Sequence, residues 1–208
     1  MPGIPVTAPD AGKSALRRRL LAARAALTGD EVAAAGEALA TRATALPDLA
    51  GARTVAAYVS IGREPSTRTL LERLRATGTR VLLPVLRPDN DLDWAAYEGP
   101  DALVRAGRGL LEPSGPRLGR AAVTGADAVL LPGLAVDRRG LRLGRGGGSY
   151  DRVLARLEAA EARPALVVLL YDDEVVDEVP AEPHDRPVRA AVTPSGVRRF
   201  GGVEEVEG

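Results

Sequence analysis

A glycine-rich segment at residues 137–151, DRRGLRLGRGGGSYD, holds the residue types in this chain that are best suited to binding an anion. Glycines let backbone N–H groups approach phosphate oxygens closely, and the N-terminus of the helix predicted to follow favours negative charge. Ser149 is the expected N-cap of that helix. A guanidinium can bind two phosphate oxygens at once, and the segment contains Arg138, Arg139, Arg142 and Arg145. The segment therefore predicts a phosphate site.

Two familiar nucleotide-binding motifs do not fit this segment. A Walker A loop ends in Gly-Lys followed by Ser or Thr, whereas Gly147-Gly148-Ser149 contains no Lys. A Rossmann motif that starts at Gly144 requires a glycine at position 149, where the chain has Ser. The plain alternative is a flexible glycine connection in a chain that is rich in Arg throughout.

The composition excludes several classes of protein. The 208 residues include no Cys and one His, His184, which excludes thiolate metal sites, thiol nucleophiles and histidine-rich metal sites. With 28 basic and 28 acidic side chains the formal net charge is zero, which argues against nucleic-acid binding. No apolar run approaches the length of a membrane span, and the first ten residues do not resemble a signal peptide. We therefore expect a cytoplasmic protein that binds neither nucleic acid nor membrane.

The spacing of apolar residues predicts an α/β fold with a mostly parallel sheet flanked by helices and preceded by an N-terminal helical pair. A capping box of Thr28 and Glu31 starts the second helix, and Pro47 ends it. Strands are expected at 54–60, 80–86, 92–98 (an edge strand), within 128–136, at 164–171 and within 188–200. Helices are expected at 10–27, 28–46, 66–76 and 150–162. We expect a single domain over residues 1–208, with a disordered tail at 1–9 and a frayed acidic tail at 201–208.

The segment from Gly140 to Arg152 resembles the signature of the 5-formyltetrahydrofolate cyclo-ligase family, GxRLGxGxGYYDR. The resemblance extends to Lys13-x-x-Leu16-Arg17, VAAYVSIGREPST, GLLEP, VLLPGLAVD, and His184-Asp185 followed by AAVTP. Ser149 departs from the pattern, because the family usually has an aromatic residue there.

The resemblance implies a fold shared with ribose-phosphate isomerases and CoA-transferases. It also implies conversion of 5-formyltetrahydrofolate to 5,10-methenyltetrahydrofolate with ATP and Mg²⁺. The residues implied to bind ATP are Lys13, Arg17, Arg142, Gly144, Arg145, Gly146, Gly147, Gly148, Ser149 and Tyr150. Those implied to bind the folate are Glu64, Arg145, Gly148 and Ser149. Arg145 and Asp151 are the implied catalytic residues, and Asp151 and Asp185 the implied Mg²⁺ ligands.

Each of these residues also has an ordinary structural interpretation. Lys13 and Arg17 are four residues apart on one helix face, which could be a solvated basic face together with Arg18, Arg19 and Arg24. Glu64 could be an exposed loop residue, and Asp151 could simply favour the helix dipole. Tyr150 suits the core and the site equally. Trp94 and Tyr97 are predicted to pack rather than to contact a ligand.

Two other functions fit the same fold. One is a sugar-phosphate isomerase, which would need a general base and no ATP. The other is a non-catalytic module that binds a phosphorylated metabolite. The expected partner is a reduced folate, possibly polyglutamylated, and the expected assembly state is a monomer or weak dimer.

Overall fold

The apolar strands form a mixed main sheet, and the amphipathic helices pack on both of its faces. The structure, a computed structural model, describes residues 9–180 and 186–201. The helices are α1 (Pro9–Ala26), α2 (Gly29–Thr44), α3 (Pro47–Ala50), α4 (Arg68–Ala76) and α5 (Ser149–Ala159). The strands are β1 (Thr54–Ala56), β2 (Arg80–Leu86), β3 (Leu92–Ala96), β4 (Leu103–Arg105), β5 (Leu111–Pro113), β6 (Ala128–Pro132), β7 (Ala135–Val136), β8 (Arg142–Leu143), β9 (Ala165–Leu169), β10 (Ala190–Val192) and β11 (Val197–Arg199).

The main sheet has seven strands in the order β11-β10-β9-β6-β1-β2-β3. The five central strands are parallel, and β3 and β11 pair antiparallel at the two edges. The prediction of a mostly parallel sheet flanked by helices is confirmed, and so is the position of β3 at an edge. The N-terminal helical pair is present, and Thr28 and Glu31 form the expected capping box of α2.

Two apolar clusters cover the faces of the sheet. On one face α2 and α4 contribute Leu39, Leu70 and Leu74. On the other face α5 contributes Val153 and Leu157 and packs with Trp94 of β3. Each of these three helices therefore presents one apolar stripe to the sheet, as the periodicity of its sequence predicts.

The first strand is shorter than its apolar sequence predicts. β1 ends at Ala56, and residues 57–60 belong to no regular element. The side chain of Thr67 replaces the strand ladder there: its Oγ1 donates to the carbonyl of Tyr58 at 2.8 Å and accepts the amide of Ser60 at 2.9 Å. Because this side chain is fully buried, it fixes the loop that follows β1 to the start of α4.

Pro84 lies within β2 without breaking it. The amide of Arg87 donates to the carbonyl of Asp91, and the amide of Tyr97 donates to the carbonyl of Val81. The odd-numbered residues of β2 therefore make the hydrogen bonds to β3. Pro84 therefore faces the β1 side, where β1 pairs with β2 only as far as Leu82. The missing N–H removes no bond from the sheet.

The sequence patterns did not predict two small hairpins, formed by β4 with β5 and by β7 with β8. Strands of two or three residues carry too little periodicity to be recognised. The predicted tails at 1–9 and 201–208 lie outside the described residues except for Pro9, which begins α1, and Gly201. None of the described helices has the length and apolar character needed to span a bilayer.

Helix α1 is attached to the carboxyl end of the sheet by a buried ion pair. The Nε and Nη2 atoms of Arg24 donate to the two carboxylate oxygens of Glu174 at 2.6 and 2.8 Å, and Nη2 also donates to the carbonyl of Gly133 at 2.6 Å. Arg24 and Glu174 are 3% and 2% exposed, so Arg24 does not belong to a solvated basic face. Burial raises the pKa of Glu174, and the adjoining Arg24 opposes that shift.

Loss of one partner of this pair should destabilise the protein strongly. We expect Glu174→Gln to lower the free energy of unfolding by about 3–5 kcal/mol, because a buried guanidinium loses its counter-charge. The matched control is Arg73→Met, which removes an exposed pair with Glu37 of similar length, 3.0 Å, and should cost less than about 1 kcal/mol. Urea unfolding followed by circular dichroism measures both. Equal losses in the two variants would contradict the anchoring role of Glu174.

Candidate active site

Two adjoining cavities open at the carboxyl ends of the parallel strands. The first, here called the basic cavity, has a volume of about 220 Å³, and the second, the apolar cavity, about 390 Å³. They share Arg142, Gly144, Gly146 and Asp151 as a common wall. The chain runs from β1 to β2 on one side and from β6 to β9 on the other, so the strand order reverses between β1 and β6. Ligands bind at such a reversal in open α/β sheets.

The basic cavity is built by α1 and the glycine-rich segment. Lys13 and Arg17 both line it, so the two residues share one face of α1, as predicted. Lys13 is only 7% exposed, so this face is not a solvated basic face. The Nε of Arg17 donates to the carbonyl of Gly144 at 3.0 Å, and its guanidinium packs over Gly146. Gly146 has a φ of 92°. A side chain there would be strained, so glycine permits this close approach.

The helix that follows the segment begins one residue earlier than predicted. Its N-cap is Gly148, with a left-handed φ of 72°, and Ser149 is its first helical residue, so the prediction of Ser149 as N-cap is wrong. The left-handed turn, which glycine adopts at no steric cost, sets the chain into α5. The first amides of α5 belong to Ser149, Tyr150 and Asp151, whose residues line the apolar cavity. A helix start of this kind favours an anion.

Arg142 is fixed at the wall between the cavities. Its side chain is 7% exposed and donates to the carbonyl of Pro132 at 2.9 Å and to Oδ1 of Asp151 at 3.3 Å. The side chain of Asp151 is 56% exposed. One carboxylate oxygen is therefore oriented by Arg142 while the group remains open to solvent and ligands.

The donor set suits Mg²⁺ in the manner of a nucleotide-dependent site. Mg²⁺ is commonly held by one or two carboxylates plus phosphate oxygens rather than by an all-protein cage. Asp151 supplies one half-exposed carboxylate at the wall of the basic cavity. Within residues 9–180 and 186–201 no group of three or more acidic or His side chains could hold a metal alone. Asp185 and His184 lie outside the described residues.

The apolar cavity has a largely hydrocarbon lining and two buried carboxylates. Its apolar walls come from the chain after β1, from β2, the start of β3 and the end of β6, and from the β4–β5 hairpin: Val59, Ile61, Pro84, Leu86, Leu92, Leu110, Leu111 and Pro132. Glu64 and Glu112 are 7% and 8% exposed. Glu64 accepts the amide of Ile61 at 2.9 Å and lies 3.6 Å from Arg145, and Glu112 accepts the amide of Leu86 at 2.9 Å. Glu64 is therefore a buried cavity residue rather than an exposed loop residue.

Tyr150 lies in the core and at the site at once. Its ring packs against the apolar cluster beneath α5, yet it also lines the apolar cavity. Its hydroxyl is buried without a hydrogen-bond partner among the described residues. Burial and the neighbouring Glu64 raise the pKa of Tyr150, which keeps the phenol protonated. Trp94 and Tyr97 pack as predicted: both are buried, neither lines the basic or the apolar cavity, and the Tyr97 hydroxyl donates to Glu72 at 2.7 Å.

The four arginines of the glycine-rich segment have different positions. Arg142 lines both cavities and Arg145 the apolar cavity, but Arg138 and Arg139 line neither. Arg138 pairs with Asp177 at 2.5 Å, and Arg139 pairs with Asp137 at 2.7 Å. The expectation that all four surround one anion is therefore wrong for two of them, because nearby acidic side chains hold them elsewhere.

Asp137 organises the turn from which the glycine-rich segment emerges. It is fully buried and accepts the amides of Arg139, Leu141 and Val179 as well as the Arg139 guanidinium. Burial alone would raise the pKa of Asp137, but the guanidinium and the amides together lower it below the usual value. Through the amide of Val179, Asp137 therefore ties the β7–β8 hairpin to the chain that follows β9.

Sequence reasoning missed Arg108, Glu112 and Arg186 as cavity residues. Glu112 stands in the GLLEP stretch, which was a signal of resemblance, but nothing in the sequence indicated that it is buried. Arg108 lies at the tip of the unpredicted β4–β5 hairpin. Arg186 lines the basic cavity and pairs there with Glu158.

The fold and the cavities define a class of α/β protein in which a glycine loop with basic side chains adjoins an apolar ligand cavity. A 5-formyltetrahydrofolate cyclo-ligase of Mycolicibacterium smegmatis is 44% identical over 187 residues, which cover 88% of this chain and 93% of the relative. One of Escherichia coli is 35% identical and covers 84% of this chain and 96% of its own.

Solved structures have the same fold. The NMR structure of Aquifex aeolicus 5,10-methenyltetrahydrofolate synthetase matches with a TM-score of 0.79 and 28% identity, over 94% of this chain and 96% of that one. A Mycoplasma pneumoniae 5,10-methenyltetrahydrofolate synthetase, 22% identical with a TM-score of 0.68, shares the fold. The model of the 5-formyltetrahydrofolate cyclo-ligase family matches residues 9–194. The chain belongs to the 5-formyltetrahydrofolate cyclo-ligase family, a family of enzymes.

The buried carboxylate of Asp137 should make stability depend on pH in acid. A carboxyl whose pKa is lowered by folding stabilises the protein above its unfolded pKa, about 3.9, and this contribution is lost as the pH falls through the folded pKa. We expect Asp137→Asn to cost about 1.5–3 kcal/mol at pH 7, because its hydrogen bonds lose their charge while Arg139 is half exposed, and progressively less below pH 4. Urea unfolding of both proteins from pH 7 to pH 3 measures the difference. A difference that stays constant with pH would contradict the charged role of Asp137.

Proposed function

We propose that this protein converts 5-formyltetrahydrofolate to 5,10-methenyltetrahydrofolate with ATP and Mg²⁺. The observation that carries the proposal is the common wall of the two cavities, formed by Arg142, Gly144, Gly146 and Asp151. Phosphoryl transfer from ATP to the folate requires the triphosphate and the pterin ring to be bound next to each other. A basic cavity joined to an apolar one supplies both sites side by side.

The reaction requires the formyl oxygen to become a leaving group. That oxygen attacks the γ-phosphorus of ATP, an O–P bond forms, and the P–O bond to ADP breaks. The neighbouring N10 amine then attacks the formyl carbon and loses its proton. The C–O bond breaks, phosphate leaves, and the carbon bridges N5 and N10. No protein nucleophile is consumed, so positioning and charge neutralisation are the tasks of the protein.

The basic cavity is the proposed site of the triphosphate. Lys13, which is buried, contributes an ammonium, and Arg17 and Arg142 contribute guanidiniums; all three line the cavity together with Gly144 and Gly146. Arg17 keeps its orientation through the Gly144 carbonyl, and Arg142 keeps its own through the Pro132 carbonyl. Oriented cations of this kind lower the cost of the charge that develops on the transferred group. Gly147, Gly148, Ser149 and Tyr150 line the adjoining apolar cavity at the start of α5, and we propose that they bind ATP from that side of the common wall.

Asp151 is the proposed Mg²⁺ ligand in the described part of the chain, and Asp185 remains a proposed second ligand. When bound, Mg²⁺ would neutralise phosphate charge. Asp151 itself is held by Arg142 at the boundary of the two cavities. Arg145 is 48% exposed, lines the apolar cavity and lies 3.6 Å from Glu64, which supports its proposed folate-binding role. Its proposed catalytic role rests on its place next to Gly144 and Gly146 of the common wall.

The apolar cavity is the proposed site of the reduced folate. Its volume and lining suit a ring system, and ligand pockets of this type use a few polar groups to fix orientation. The amino and N–H groups of a pterin are donors, and the buried carboxylates of Glu64 and Glu112 are acceptors. A small sugar phosphate would gain little from such a lining, so the cavity favours cyclo-ligation over isomerisation. Smaller Ser149 leaves room where an aromatic side chain would stand. The cytoplasmic location and the assembly state stay predictions.

Activity and its metal dependence test the proposal together. The protein is incubated with 5-formyltetrahydrofolate, ATP and Mg²⁺, and the near-ultraviolet absorbance of the methenyl product is followed. We expect Asp151→Asn to lower kcat about 100-fold and to raise the Mg²⁺ concentration needed for half-maximal rate. The control is Asp101→Asn, an exposed acid outside both cavities. Absence of product with the wild-type protein would refute the function, and an unchanged Asp151→Asn rate would refute the metal assignment.

The role of Lys13 is tested by the two Michaelis constants. Lys13→Met keeps the apolar stem but removes the ammonium, so the apparent KM for ATP should rise about tenfold or more while that for the folate changes little. Arg18→Met, an exposed position of the same helix, is the control. A rise in the folate KM instead would mean that α1 does not serve the triphosphate.

A further inference from the structure

Three arginines line the apolar cavity, and one of them differs from the other two. Arg142 is paired with Asp151, and Arg145 lies 3.6 Å from Glu64. Arg108 has no carboxylate within ion-pair distance among the residues that the structure describes. Its Nη1 instead donates to the neutral Oδ1 of Asn90 at 3.0 Å. The positive charge of Arg108 is therefore not balanced within the described part of the cavity.

Arg108 is held at the rim by two turns in unusual conformations. It stands at the tip of the β4–β5 hairpin with φ 60° and ψ 22°, and Asn90, at the β2–β3 turn, also has φ 60°. Asn tolerates the left-handed region, whereas Arg adopts it seldom. Backbone outliers of this kind persist where the surroundings require a particular placement of a side chain. Here the two turns together hold one guanidinium beside the mouth of the cavity.

The charges along the apolar cavity have a polarity. Glu64 and Glu112 are buried, whereas Arg108 is exposed. Arg108 lines the apolar cavity but not the basic cavity, which has its own cations in Lys13 and Arg17. An occupant that complements this arrangement has hydrogen-bond donors at its inner end, an apolar middle and an anion at its outer end.

We propose that Arg108, supported by Asn90, binds a carboxylate of the glutamyl part of the reduced folate. The proposal rests on the function proposed above. A guanidinium binds a carboxylate with two parallel hydrogen bonds, and the bond from Nη1 to Asn90 leaves the remaining N–H groups for that purpose. Arg108 is then a specificity-determining residue: it selects pteridines that carry a glutamyl tail over those that lack one.

The sharpest variant is Arg108→Gly, because glycine adopts the left-handed turn without strain. A purely structural role for Arg108 predicts a less stable protein. Our proposal predicts a melting temperature equal to or above that of the wild type, together with weaker substrate binding. Arg105→Gln is the matched control, since Arg105 is exposed, belongs to the same hairpin and lines neither cavity.

The experiment measures KM and kcat for 5-formyltetrahydrofolate, its triglutamate, and 5-formyltetrahydropteroate, which lacks glutamate. We expect Arg108→Gly to raise KM about tenfold for the two glutamyl substrates, and to leave the ratio of variant to wild-type KM near one for the pteroate. Arg108→Lys should recover part of the loss, and Asn90→Gly, which keeps the left-handed turn and removes the acceptor, should raise the same two KM values to a smaller extent.

Two results would overturn the inference while the proposed function stands: an unchanged KM in Arg108→Gly, or an equal rise for the substrate without glutamate. An equal rise in Arg105→Gln would do so as well, because it would reduce the effect to general surface charge. A wild-type protein that neither turns over nor binds any of the three compounds, by calorimetry, would refute the proposed function and the inference together.

Discussion

The attachment of α1 to the carboxyl end of the sheet is the contact on which the rest of the site depends. Arg24 joins Glu174, which follows β9, to the carbonyl of Gly133, which follows β6. Glu174 also accepts the amide of Tyr171, whose hydroxyl donates to the carbonyl of Arg63 in the loop after β1. One buried network therefore links α1 to the ends of three parallel strands. With α1 held in this position, Lys13 and Arg17 line the basic cavity beside the glycine-rich segment.

At the common wall of the cavities, too, one side chain fixes the position of another. The Pro132 carbonyl orients Arg142, and Arg142 in turn orients one carboxylate oxygen of Asp151. The Asp151 side chain is still 56% exposed, so it stays accessible to a ligand. Two other arginines of the glycine-rich segment do not line either cavity. Arg138 and Arg139 are bound by acidic side chains of the turn and of the chain beyond it. The number of basic residues near the loop thus overstates the charge that a ligand would meet.

Most elements of the fold could be predicted from periodicity, and the exceptions have physical causes. Strand β2 was predicted with its observed limits despite Pro84. The missing N–H of Pro84 faces β1, which pairs with β2 only as far as Leu82, so no ladder bond is lost. Strand β1 was predicted too long because a side chain, Thr67, bonds the backbone that a neighbouring strand would otherwise bond. The hairpin of β4 and β5 was not predicted, since strands of three residues have no detectable period. That hairpin carries Arg108 and Glu112, so the cavity wall was missed with it.

The sequence alone determined the family, the class of fold and the residue types of the anion site, because these depend on local patterns: glycines before a helix, apolar periodicity, and a capping box. Only the tertiary structure decided which charges face a ligand. Arg24 and Arg17 lie on the same helix, yet one is buried against Glu174 and the other lines a cavity. Glu64 and Glu112 are distant in sequence and line one cavity. Burial and pairing are set by partners from remote segments, and a one-dimensional pattern contains no record of which partner each charge will meet.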